Sequence, residues 1–274
     1  MKKTVVLAGV LASVLGAGCH ERARMSQETE VSLTGEEIQI IVRTEELGRQ
    51  VYLHDQYAAR ATGLLYARGV DLMEIGTRGW ITEDRSDGCA VTFVADEPEP
   101  WRSVCRVTFA GREEPNIILI DKDLTETQSA MFNARELVLS IVEYPCSDAY
   151  NTVVISREGD PGWLAYALAA TSDPNLLLVG GHYCATTSAD GRTILEQRNF
   201  TKECLVLKNT KGTEADADSA AYTVGHILDV RPTEIHVFLN LLCGKPLYVV
   251  TVDGRLWRID NGKIRLLKVP AENG

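Results

Sequence analysis

Glu234 and His236 are two residues apart, and His226 and His182 precede them. Three imidazoles and a carboxylate drawn together make a tetrahedral or facial metal site. Without a metal, a carboxylate beside a histidine orients it as a general base. The segment 233–241 alternates, with Glu234, His236, Phe238 and Asn240 on one side and Ile235, Val237 and Leu239 on the other. Read with a period of two, it is a strand that puts Glu234 and His236 side by side. The bland reading is a solvated outer face of an antiparallel strand. His182 shares its face with Asn199, Gln197 and Thr186 on that reading and points to solvent. His54 falls on the apolar stripe of a helix and reads as a packing histidine. Lys202 reads as a snorkelling or paired lysine.

Other catalytic templates are absent. The chain has no Gly-x-Ser-x-Gly, Ser-x-x-Lys, His-Glu-x-x-His, P-loop or Gly-x-Gly-x-x-Gly. Gly180-Gly181 sits in a strand-like pattern and reads as a bulge or a close backbone approach. No Cys/His spacing suits a zinc finger, and no cofactor is expected.

The elements that position these residues follow from periodicity. Residues 46–68 carry apolar positions at steps of three and four and predict a helix closed by Gly69, with 35–45 as its possible extension. Residues 88–95 and 102–109 predict a hairpin around Asp96–Pro100, and 116–121 a further strand. Asp123-Leu124-Thr125-Glu126 reads as a capping box opening a helix with Met131, Ala134, Leu137, Val138 and Ile141 on its stripe, ended by Pro145. Strands follow at 151–156, 163–170, 176–187, 193–207, 221–228 and 233–241, then 247–252, 255–260 and 263–268. Taking Asp253-Gly254 and Asn261-Gly262 as two-residue turns puts Tyr248, Val250, Trp257, Ile259, Ile264 and Leu266 on one apolar face. The fold class is α+β, mostly antiparallel sheet with two or more packed helices and a C-terminal meander.

The beginning of the chain is an address. Lys2-Lys3, the apolar run Val5–Leu15 and Gly16-Ala17-Gly18-Cys19 form a secretory signal too short to span a bilayer. Small residues before a cysteine resemble the bacterial lipoprotein signal, although Leu15 stands one place early. The resemblance implies cleavage before Cys19, its acylation, and, with His20 rather than Asp following, an outer-membrane destination. Cleavage by an ordinary signal peptidase to a freely soluble periplasmic protein is the alternative. This gives a signal peptide at 1–18, a tether at 19–34, and one α+β domain at 35–274 with a possible subdivision near 145.

Hydrophobic content of 45% and charged content of 24% suit a globular body. The net charge of −10 disfavours nucleic acid as a partner. Seven cysteines leave six once Cys19 is set aside, and an exported chain permits disulfides. With Asp190-Gly191 as a hairpin loop, Cys204 falls opposite Leu177 on the side of Phe200, and Cys184 on the other side. Bridging opposite faces of one sheet requires rebuilding it. Cys146, in a loop after Pro145, is the preferred partner of Cys204.

Several phrases also resemble an uncharacterised family of exported proteobacterial proteins: Gly180-Gly181-His182-Tyr183, Phe200-Thr201-Lys202-Glu203-Cys204-Leu205, Pro232-Thr233-Glu234-Ile235-His236-Val237-Phe238 and Gly244-Lys245-Pro246-Leu247-Tyr248-Val249. The resemblance covers about residues 145–268. It implies a shared fold and a recurring Pro-Cys before the strand at 151, in keeping with a Cys146–Cys204 pair, and it imports no activity. The functional expectation is a lipid-anchored, non-enzymatic envelope module that binds another envelope protein or a small ligand. The alternative is a metal-dependent or His/Glu-based hydrolase working on the Glu234/His236 face. A third idea is a β-meander platform docking a partner around Trp257.

Overall fold

The computed structural model describes residues 29–111, 113–209 and 221–268. Cys19, the signal at 1–18 and the tether up to residue 28 lie outside them. The rest of the expected tether is not free. Val31 N–H donates to Leu266 O at 2.8 Å, and Glu30 forms a bridge with Leu267.

Helix α1 (Gly35–Ala67) includes the 35–45 extension. Thr34 starts it: its hydroxyl accepts from Glu37 N–H at 3.3 Å, and the Glu37 carboxylate accepts from Thr34 N–H at 3.0 Å. At 33 residues it runs about 50 Å and serves two cores. Ile41 and Val51 pack with the C-terminal part of the chain, while Ala61 and Leu65 pack on Val91, Phe93 and Val107. Gly69, at φ +74°, lets the chain turn off the helix.

The first sheet is an antiparallel meander of β1 (Thr77–Arg85), β2 (Gly88–Ala95), β3 (Arg102–Ala110) and β4 (Asn116–Asp123). The 88–109 hairpin is as expected. β1 is additional and proves to matter most for the site. Helix α2 (Glu126–Ser140) starts two residues later than expected: Thr125 is the cap and Gln128, not Glu126, closes the box. Met131, Ala134 and Val138 are buried as the stripe required. One core crosses position 145, with Ile81 and Val94 packed together with Val154, Ala165 and Tyr183.

The second sheet has the order β5-β6-β8-β9: β5 (Ala149–Ser156), β6 (Trp163–Ala170), β8 (Tyr183–Thr187) and β9 (Ile194–Asn199). β7 (Leu176–Leu178) pairs separately with β10 (Val206–Lys208). Two expected long strands, 176–187 and 193–207, are therefore each broken. Gly181 sits at φ +83°, where a Cβ would strike the Cys146 side chain at 2.4 Å, and the break re-aims the strand after it. Cys184 consequently joins the same core as Phe200 instead of facing away. The Cys146–Cys204 disulfide forms, with Cα atoms 5.3 Å apart, but Cys204 lies outside the strands. The pair is as expected, and the uninterrupted register used to choose it is not. The Asp190-Gly191 hairpin is also wider than two residues, since Ser188 N–H donates to Thr193 O.

The last sheet, β11-β12-β13-β14, contains the largest correction. Residues 233–241 are not a strand: they belong to helix α3 (Glu234–Cys243). Thr233 is its N-cap, and Gly244, at φ +70°, ends it. The helix links β11 (Tyr222–His226) to β12 (Leu247–Thr251) in parallel. β13 (Leu256–Asp260) and β14 (Lys263–Leu267) complete an antiparallel meander. The Asn261-Gly262 turn has the expected two residues, with Asp260 opposite Lys263. The preceding turn does not: Thr251 N–H donates to Arg255 O, making a three-residue turn of 252–254. That single extra residue flips β12. Leu247 and Val249 join Trp257, Ile259, Ile264 and Leu266 inside, and Val250 is exposed. α1 and α3 contribute to the core on this apolar face, so Trp257 offers no exposed platform.

Candidate functional site

The three C-terminal histidines do come together, but as packing. His226 and His236 meet edge to face with ring centroids 4.6 Å apart, and His182 lies against Phe238 at 6.1 Å. All three are buried, so the solvent-facing placement of His182 and the exposed strand face of Glu234 and His236 are both corrected. His236 is the third residue of α3, and its Nδ1 accepts from Thr233 N–H at 3.1 Å. His182 Nδ1 accepts from Ala169 N–H, and its Nε2 faces Leu178 O, each at 3.1 Å. With Nδ1 of both rings accepting a backbone proton, the neutral ring carries its hydrogen on Nε2 and keeps no lone pair for a metal. Burial pushes His182 down to about 4 and, helped by His226 and His182, pushes His236 down to about 3. Among the described residues no group of three or more His, Cys, Asp or Glu side chains is arranged to hold a metal ion.

Glu234 does not orient His236. Its Oε1 accepts from the Tyr166 hydroxyl at 3.2 Å. Burial raises the pKa of Glu234, and burial raises the neighbouring Cys184 thiol to about 12, so Cys184 is not an activated nucleophile. His226 Nε2 lies 2.7 Å from Asp229 Oδ2, which also accepts from Arg198 at 2.8 Å. This chain of contacts fastens the β11–α3 loop.

A cleft of about 1000 Å³ lies elsewhere, walled by α1, β1, the start of α2 and the β5–β6 hairpin. His54 lines it from α1 and is 4% exposed. Its Nδ1 is 2.6 Å from Thr82 Oγ1, and Asp84 Oδ1 lies 3.3 Å from its Nε2. Thr82 and Asp84 reach the same ring because residues two apart on β1 share a face. Beyond this ion-pair contact with Asp84, His54 Nε2 is buried with no other partner. Its proximity holds the Asp84 carboxyl below the usual range. Glu83, alongside, accepts from Gln128 at 2.8 Å and Arg106 at 3.0 Å. Leu47, Met131, Val154 and Leu164 supply an apolar wall. The lining carboxylates Glu46, Glu83, Asp84 and Glu158 outnumber the one lining guanidinium, Arg43.

The packing role expected for His54 agrees with its burial. Sequence reasoning missed the cleft because it left β1 unassigned. The signal was present: Trp80-Ile81-Thr82-Glu83 leads into Asp87-Gly88, a turn dipeptide, and then into β2. Comparisons with protein-family models, curated proteins and solved structures find no match to this chain.

Proposed function

We propose that this chain is an exported envelope protein, anchored through an acylated Cys19 to the outer membrane on the periplasmic side. It acts as a binding module and not as an enzyme. The ligand occupies the cleft beside His54 and is a small amphipathic cation. The reading is supported by the signal that ends at Cys19 and by the chemistry of the cleft walls. The observation that carries it is the exposed Asp84 carboxylate, held 3.3 Å from the buried His54 Nε2 at the edge of the cleft's aliphatic wall. An exposed carboxylate offers acceptors for charge-assisted hydrogen bonds from an ammonium head. The aliphatic wall takes the apolar body of such a ligand, and the carboxylate excess selects the positive end.

Calorimetric titration with octylamine, octanol and octanoate tests this. Octylamine is expected to bind most tightly and octanoate least. Asp84→Asn is expected to weaken octylamine about threefold to tenfold. Octanoate binding as tightly as octylamine, or an Asp84→Asn variant unchanged toward all three, would overturn the ligand assignment.

A further inference from the structure

At one end of the C-terminal sheet, four aliphatic side chains stand in solvent. Ile227, Leu228 and Val230 occupy the β11–α3 loop, 63%, 37% and 41% exposed, and Val252 occupies the β12–β13 turn, 57% exposed. They are neighbours. His226 pairs with Thr251 across the parallel strands, so Ile227 and Val252 are the next positions outward. Val252 N–H also reaches Asp229 O at 3.5 Å. The loop is held in this form from within, because Asp229 turns inward to His226 and Arg198. Val230 O accepts from Arg255 at 2.8 Å. The polar groups of the loop are thus tied to the body, and its aliphatic groups face out.

The N-terminal segment arrives at the same end. Leu267 pairs with Leu256, which follows the 252–255 stretch. The strand-like residues 29–31 lie along Leu266–Lys268. Cys19 stands ten residues before Thr29. Ten residues reach at most about 35 Å when fully extended, so an anchor at Cys19 holds this end within that distance of the bilayer.

We propose that this apolar rim rests on the lipid surface, so that the body docks on the membrane instead of hanging from its anchor. The inference depends on the anchor reading above and adds a second membrane contact to it. Asp229 and Asp253 are offset by Arg231 and Arg255 around the rim, so zwitterionic lipid is enough and an anionic surface is not needed.

The test uses the mature chain reconstituted into vesicles of phosphatidylethanolamine and phosphatidylcholine, with amide exchange read by mass spectrometry. Exchange at 227–231 and 252–255 is expected to slow about tenfold relative to the Cys19→Ala chain in solution. The 261–262 turn, at the far end of the sheet, should not change. The double variant Ile227→Asp/Val252→Asp, acylated and folded by circular dichroism, is expected to lose the slowing. An acylated wild-type chain exchanging on vesicles at its solution rate at both segments overturns the rim, as does protection that appears only with envelope proteins added. The mass of the N-terminal peptide reports the anchor separately. If Cys19 is unmodified, the anchor reading fails and flotation of the unacylated chain with the same vesicles decides the rim. Flotation lost in the double variant supports it, and no flotation overturns it.

Discussion

Lowering the pH should unfold this protein through its buried histidines, and His182 isolates the effect. Its ring is fully buried, bonds Ala169 N–H, and is held down to about 4 from an ordinary 6.5. Below pH 6.5 the unfolded chain takes up a proton that the folded chain refuses. The stability contributed by a neutral His182 is therefore full above pH 6.5 and is lost as pH falls toward about 4. Between pH 8 and pH 5 the loss from this one group is about 2 kcal/mol. His236, lowered to about 3, acts in the same direction. Replacing His182 with Gln removes the titration. It also disturbs the contacts to Ala169 N–H and Leu178 O, at a cost of roughly 2–4 kcal/mol near neutrality. Urea unfolding of both proteins at half-unit steps from pH 8 to pH 5 measures the two effects together. The wild type should be the more stable at pH 8, with its advantage shrinking by about 2 kcal/mol at pH 5. A difference that stays constant over that range would refute the claim that His182 is folded in a neutral state.

Three further perturbations probe the packing. Gly48→Ala places a Cβ 2.5 Å from Val237 Cβ and 2.6 Å from Glu234 O. Despite the better helix propensity of alanine, a net loss of about 1–3 kcal/mol is expected by urea unfolding. Asn240 bonds Lys245 O, Ile259 O and Gly262 N–H from inside α3. Asn240→Ala should cost roughly 3 kcal/mol in the same assay, with the 261–262 turn losing exchange protection. Cys146→Ser/Cys204→Ser opens a crosslink across 58 residues. It should lower stability by about 4 kcal/mol, and reductant should affect the wild type alone.

Much of the fold was legible because its local signals agree with its packing. The β2–β3 hairpin alternates, β3 buries every second residue, and Asn261-Gly262 makes the turn its sequence demands. Helix α3 was not legible by period alone. Glu234 to Val237 alternates polar and apolar like a strand, but Glu234, His236 and Asn240 are polar groups satisfied inside the protein, by Tyr166, Thr233 and the β13–β14 turn. The stronger signals were its ends, Pro232-Thr233 and Gly244. One residue in the 252–254 turn was enough to reverse the faces of β12. His226 and His236 were legible as candidates, but their packing was not, because the Thr233 N–H that His236 accepts and the Asp229 contact of His226 cannot be read from spacing. The cleft depended on β1 meeting α1, a contact between distant segments that no local pattern announces.

The central claim, that the cleft beside His54 is a binding site for an amphipathic cation, is tested most directly by nuclear magnetic resonance titration with octylamine. The His54 ring and Trp163 indole resonances are expected to shift together with the methyl groups of Leu47 and Leu164, while those of His182 and Trp257 stay fixed. Octylamine shifts confined to residues outside the cleft, or no shift at millimolar amine, would contradict it.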